Sequence, residues 1–121
     1  MQMPDSTTPA ERRILAAIRA VPAGCVASYG AIARRAGLPG RARLVARLLG
    51  QNADPALPWH RILRSDGRIA FPAGSEGFGE QARRLQAEGV EVRNGRVRLP
   101  ADEGTLDAAL WGPRGAGGVG L

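Results

Sequence analysis

Ile14, Leu15, Ile18 and Val21 recur at helical spacing with Arg12, Arg13 and Arg19 between them, so this stretch reads as a helix with one apolar stripe. Its start is marked as well: Thr8 can cap, Pro9 suits the first helical position, and Glu11 stands three residues after the cap. "AGCVASY" reads as a short extended link, after which Ser28 caps a short helix, "YGAIARRAG", stopped by Gly37. "LPG" makes a tight turn into "RARLVARLLG", a third helix with Leu44, Val45, Leu48 and Leu49 inward and Arg41, Arg43 and Arg47 outward.

Two short helices joined by a Gly/Pro turn, the second rich in arginine, match a helix-turn-helix. "QNADPALPW" is a loop, and "HRILRSDGRIAF" reads as a hairpin turning at "SDG". "SEGFGEQARRLQAEG" is a further helix ending at Gly89, and "VEVRNGRVRL" is a second hairpin through Asn94-Gly95. The expected architecture is mainly α with small β hairpins. Residues 1–8 are expected to be a flexible N-terminus, 9–99 the folded domain, and 100–121 a partly disordered tail in which Leu106, Leu110 and Trp111 could pack back. There is no internal repeat.

A chain of 121 residues holds about one domain. No apolar run reaches the roughly 18–20 residues of a membrane span, and the N-terminus lacks the pattern of a signal peptide, so a cytoplasmic location is expected. One cysteine and one histidine can form neither an internal disulfide nor an ordinary four-ligand zinc site, and neither metal nor cofactor is expected. The formal net charge is +6, and all 17 basic residues are arginine. A GC-rich genome accounts for arginine over lysine, but the excess itself does not depend on that choice. Between positions 12 and 68 only Asp54 and Asp66 oppose eleven arginines, a concentration that suits a polyanion.

The only histidine, His60, lies in "LPWHRIL" between Trp59 and Arg61, with no cysteine or serine near it in sequence. The residues alone leave three readings of it: a catalytic centre, a core turn, or a pocket that binds without reacting; the rival functions for the chain are an enzyme acting through His60 with Glu88 and a dimeric winged-helix transcription regulator.

The run "VPAGCVASYGAIARRAGLPGRARLVARLLGQN", then "LPWHRILRSDGRIAFPAG" and "RRLQAEGV", resembles the C-terminal DNA-binding domain of the O6-alkylguanine-DNA alkyltransferases over roughly residues 9 to 92. In those transferases the residue between proline and histidine is the cysteine that accepts the alkyl group; here it is Trp59. The resemblance is closest to the alkyltransferase-like proteins, which carry that replacement. An indole nitrogen keeps its lone pair in the ring and offers no thiolate, so it cannot make the displacement. Cys25, distant in sequence from His60, reads as a small half-buried apolar residue.

The resemblance implies a winged helix-turn-helix fold and a monomeric, non-enzymatic protein that binds duplex DNA containing O6-alkylguanine, flips the base, and passes the lesion to nucleotide excision repair proteins. It gives Tyr29 the role of crowding the phosphate beside the target, and Arg43 that of filling the vacated place in the stack. Arg41 and Arg47 would contact phosphate or groove wall, while Ala42 and Ala46 would let the helix approach the minor groove closely. Pro58, Trp59, His60, Asn52 and Glu88 match the lesion pocket, with His60, Asn52 and Glu88 as a retained structural network. Phe71, Pro72 and Ala73 would close over the base, offering no side-chain hydroxyl or cation, so that backbone N–H groups such as that of Ala73 meet the guanine.

Overall fold

The computed structural model describes residues 7–100. The expectations for residues 1–6 and 101–121, including packing by Leu106, Leu110 and Trp111, lie outside them. Four helices and two very short strands follow in order: α1 (Pro9–Arg19), β1 (Ala27–Ser28), α2 (Tyr29–Arg35), α3 (Ala42–Gly50), a 3-10 turn (Trp59–Arg61), β2 (Ile62–Leu63) and α4 (Glu76–Ala87).

Local chemistry sets most of the helix ends. At α1 the Thr8 hydroxyl accepts from the Glu11 N–H at 3.1 Å and the Glu11 carboxylate accepts from the Thr8 N–H at 3.0 Å, a complete capping box. Ser28 caps α2 through the Ala31 N–H at 3.1 Å, and Ser75 caps α4 through the Phe78 N–H at 3.2 Å. Gly37 (φ +81°) and Gly89 (φ +86°) take the left-handed conformation that ends α2 and α4. In both, the following residue reaches back, Leu38 N–H to Ala33 O at 2.8 Å and Val90 N–H to Leu85 O at 3.0 Å, satisfying otherwise orphaned carbonyls.

Two apolar clusters form. In one, Ile14, Ile18 and Val21 of the first helical segment meet Ala31, Ile32, Leu44 and Val45 of α2 and α3. In the other, Val26, Leu63, Ile69, Leu85 and Val97 join the strand region to α4. Leu48 and Leu49, expected inward, are half-buried at the edge of the first cluster, whereas Arg41, Arg43 and Arg47 are exposed.

The β structure differs from two separate hairpins. Ile62 and Leu63 pair in parallel with Ala27 and Ser28, and the chain turns at residues 65–67, where Arg64 donates to Arg68 O at 3.0 Å and Gly67 donates to Arg64 O at 2.8 Å. Residues 67–69 then lie antiparallel to 95–97: Ile69 donates to Gly95 O and Val97 to Gly67 O, both at 2.9 Å. The reason is burial. Ile62 and Leu63 are both in the interior, so β2 has no solvent face for the alternation a hairpin arm shows, and it is sequestered beside buried β1. His60, expected on that arm, sits in the 3-10 turn. The Asn94–Gly95 turn does form, with both residues at positive φ and Arg93 and Arg96 exchanging hydrogen bonds at 2.9 Å.

Candidate functional site

Between the end of α3, the 3-10 turn and the loop after Ile69 lies a cavity of about 420 Å³, within the usual range for small-ligand sites. Tyr29, Ala46, Leu49, Gly50, Asn52, Trp59, Ile62, Ala70, Phe71, Pro72 and Gln81 line it. The Trp59 indole is held from several sides. Phe71 and His60 each meet it edge-to-face with ring centres 6.0 Å away, and the Arg84 guanidinium lies 5.5 Å from its centroid. Arg84 is itself fixed by Glu80, whose carboxylate accepts from its Nε at 2.6 Å. Phe71 can lie where it does because Gly77 of α4 leaves room: a Cβ there would come within 2.6 Å of the ring.

Gln81 is nearly fully buried, and its side-chain amide donates to the carbonyls of His60 and Ile62 at 3.0 and 3.1 Å. It thereby anchors the 3-10 turn to α4. Asn52 folds its side chain onto its own loop, donating to Asp54 O at 3.0 Å and accepting from Asp54 N–H at 2.9 Å.

Glu88, just past α4, gathers a compact polar cluster. Arg61 donates to it through Nε at 3.0 Å and through an outer nitrogen at 2.7 Å, His60 Nε2 lies 3.0 Å from it, and Gly24 N–H donates at 3.2 Å. The Arg61 hydrogen bonds hold the Glu88 carboxyl at about 2 against some opposition from burial, with smaller help from His60 and Gly24. An ionised carboxylate only accepts, so His60 Nε2 carries the proton in this contact. His60 Nδ1 is buried with no hydrogen-bond partner among the described residues.

The basic face lies on α3. Arg41, Ala42, Arg43 and Arg47 border one surface groove, and Ala42, Arg43 and Ala46 face Tyr29, Arg64, Ser65 and Asp66 across a second. Arg47 is not wholly committed to solvent: it pairs with Glu11 of the α1 capping box at 3.2 Å. Burial pushes the Tyr29 phenol above its ordinary value, with Arg64 opposing, so it remains a neutral hydroxyl.

Of the sequence-derived pocket residues, Asn52, Trp59, Phe71 and Pro72 line the cavity. Tyr29 and Ala46 join them there from the set assigned to DNA. His60, Glu88, Pro58 and Ala73 lie off its lining. His60 and Glu88 come together as expected of a network, whereas the hydrogen bonds of Asn52 serve its own loop. Arg61, Gln81 and Arg84 were not singled out from sequence. Arg61 stood next to the lone histidine and seven carboxylates remained along α4 and beyond, but no spacing rule pairs residues so far apart. Cys25 is buried in the helical core cluster, away from the cavity lining. The cavity can therefore enclose a planar base against aromatic walls, yet it presents no thiol for alkyl displacement. Among the described residues no three metal-ligating side chains cluster, and no helix is long and apolar enough to cross a membrane.

Comparison with known proteins gives concordant results. Residues 9–90 match the family described as 6-O-methylguanine DNA methyltransferase, DNA binding domain. A DNA base-flipping protein of Vibrio parahaemolyticus is 39% identical over 89 residues, covering 72% of this chain and 87% of that protein. Alkyltransferase-like protein 1 of Schizosaccharomyces pombe is 37% identical over 102 residues, covering 84% and 93%. The crystal structure of S. pombe Atl1 with damaged DNA containing O6-carboxymethylguanine superposes with a TM-score of 0.66 at 33% identity, covering 82% of this chain and 92% of that one.

Proposed function

This chain belongs to the family of the 6-O-methylguanine DNA methyltransferase DNA-binding domain, and from that premise we propose that it recognises O6-alkylguanine in duplex DNA by base flipping, without removing the alkyl group. The observation that carries this reading is the cavity beside the arginine helix: aromatic-walled, large enough for a base, and lacking a thiol. Trp59 stands between Pro58 and His60, where the family resemblance puts the acceptor cysteine of the transferases.

In this reading α3 enters the minor groove, with Ala42 and Ala46 giving the backbone close access and Arg41 and Arg47 meeting phosphate. Tyr29, neutral and on the border of both groove and cavity, presses on the backbone beside the target and drives it outward. Arg43 fills the gap. Extruding a paired base costs a few kcal/mol, and stacking against an aromatic wall returns about 1–3 kcal/mol per base, so flipping needs the further contribution of phosphate contacts.

Phe71, Pro72 and Ala73 close the site, and Trp59 supplies the apolar wall for the alkyl group. His60, Glu88 and Arg61 act as scaffold. His60 lies off the cavity lining and its protonated nitrogen is engaged by Glu88, an arrangement suited to holding the turn in place. A protein that binds the lesion and leaves it chemically unchanged requires a second system to excise it; we assign that step to nucleotide excision repair.

A fluorescent adenine analogue placed beside the lesion reports opening of the stack. Protein should brighten it with O6-methylguanine, and Tyr29→Ala and Arg43→Ala should lose most of that signal at saturating protein. An equal rise with unmodified guanine, or a full signal from both variants, contradicts the proposal.

A further inference from the structure

Five arginines outside α3, Arg64, Arg68, Arg93, Arg96 and Arg98, gather around the hairpin after α4. Arg68 and Arg96 form its antiparallel bridge, and Arg93 and Arg96 flank the Asn94–Gly95 turn, all of them exposed. Arg64, Arg68, Arg93 and Arg96 border one concavity of about 710 Å³, and Arg93, Arg96 and Arg98 share the adjoining one with Asp66. Arg64, Arg96 and Arg98 form no ion pair among the described residues, while Arg68 and Arg93 have only exposed partners, Asp66 at 3.5 Å and Glu91 at 2.8 Å. Guanidinium groups crowded in this way repel one another until an anion lies between them.

The patch is continuous with the DNA-facing surface. Arg64 borders the groove that Tyr29, Ala42 and Arg43 line, and Ala70 borders that groove, the base cavity and the hairpin concavity alike. The hairpin lies beyond residue 90, where the match to the family's DNA-binding domain stops.

We propose that this arginine hairpin is a second DNA contact, which grips the phosphodiester backbone of the same duplex on the side of the flipped nucleotide and extends the track that Arg43 begins. The inference rests on duplex binding as proposed above but not on lesion preference. Arginine forks meet phosphate oxygens without reading sequence, so the hairpin adds affinity for damaged and undamaged duplex equally.

The test is a salt titration of affinity for matched duplexes with guanine or O6-methylguanine. The Arg96→Gln/Arg98→Gln double variant should bind both less tightly by the same factor. Its log–log salt slope should be shallower by about 0.9 for each phosphate that the variant no longer neutralises. Arg96→Lys/Arg98→Lys should keep most of the slope. Asp66→Asn keeps an acceptor for the Arg68 N–H, with which the carboxylate bonds at 3.0 Å, and removes the acid that borders the second concavity; it should raise affinity for both duplexes. That opposite sign cannot come from a damaged fold. Unchanged slopes in the double glutamine variant, or unchanged affinity in Asp66→Asn, overturn the proposal and leave an acidic protein surface as the occupant. Loss of affinity confined to the lesion duplex overturns it too. If instead the parent protein shows no lesion preference, the proposed function fails, and the hairpin's slope is still read on unmodified DNA.

Discussion

Replacing Glu88 by glutamine keeps the shape of the side chain and removes the charge on which Arg61 and His60 converge. Bringing a carboxyl from 4.5 to about 2 corresponds to roughly 3 kcal/mol at full strength, since each tenfold in proton affinity is worth about 1.4 kcal/mol. The side chain keeps 19% of its exposure, and solvent screening brings the usable part to about 2 kcal/mol. The Arg61 side chain, 17% exposed, would retain its 2.8 Å bond to the Val21 carbonyl but lose its counter-charge.

Glu88→Gln should therefore lower unfolding free energy at pH 7 by about 2 kcal/mol, read as a shift of the urea midpoint at constant slope. Because the folded-state value is depressed, the stabilisation is fully present above the unfolded value near 4.5 and is lost as pH falls through about 2. Parent and variant should differ fully above about pH 5 and converge towards pH 2. Equal stability at pH 7, or a gap that widens on acidification, would refute the assignment of Glu88 as the hub of this cluster.

Three further substitutions separate pocket shape from stability. Gly77→Ala adds a methyl group that drives Phe71 away from its present seat, so lesion affinity measured by anisotropy should fall, whereas the melting temperature should hold or rise because alanine favours helix by up to about 1 kcal/mol; a lower melting temperature with unchanged affinity would be the wrong outcome. Arg84→Met removes the cation above Trp59 at a cost of about 0.5–1 kcal/mol and should change the indole emission spectrum; an unaltered spectrum would mean that the contact is not kept in solution. Gln81→Leu strands the His60 and Ile62 carbonyls and should cost about 2 kcal/mol in chemical denaturation, with a near-neutral result showing that water replaces the amide.

The helices were legible in the sequence because short-range chemistry sets their limits. Thr8 with Glu11, Ser28, Gly37 and Gly89 each act within a few residues of themselves, and the stripe of Ile14, Ile18 and Val21 states which face is inward. The strand pairing was not legible. β2 chooses Ala27–Ser28, far away in sequence, over the arm beyond the tight turn, because both of its residues are buried; alternation cannot reveal that preference. The same limit governs the site. Trp59 and the arginines of α3 were visible as residue types in a familiar order, but the supports of Trp59 come from Phe71, Glu80 and Arg84, which meet it only after the chain folds. Gln81 looked like an ordinary polar residue on a helix face until burial gave it two carbonyls to satisfy.

Binding and the absence of alkyl transfer are both read in one experiment: competition of otherwise identical duplexes with and without O6-methylguanine at fixed salt, followed by intact mass of the recovered protein. The lesion duplex should be preferred, the protein should keep its mass, and the duplex should still carry its methyl group. Equal affinity for the two duplexes would contradict lesion recognition. A methyl group gained by the protein, on Cys25 or elsewhere, or demethylated DNA after many turnovers, would contradict the absence of chemistry.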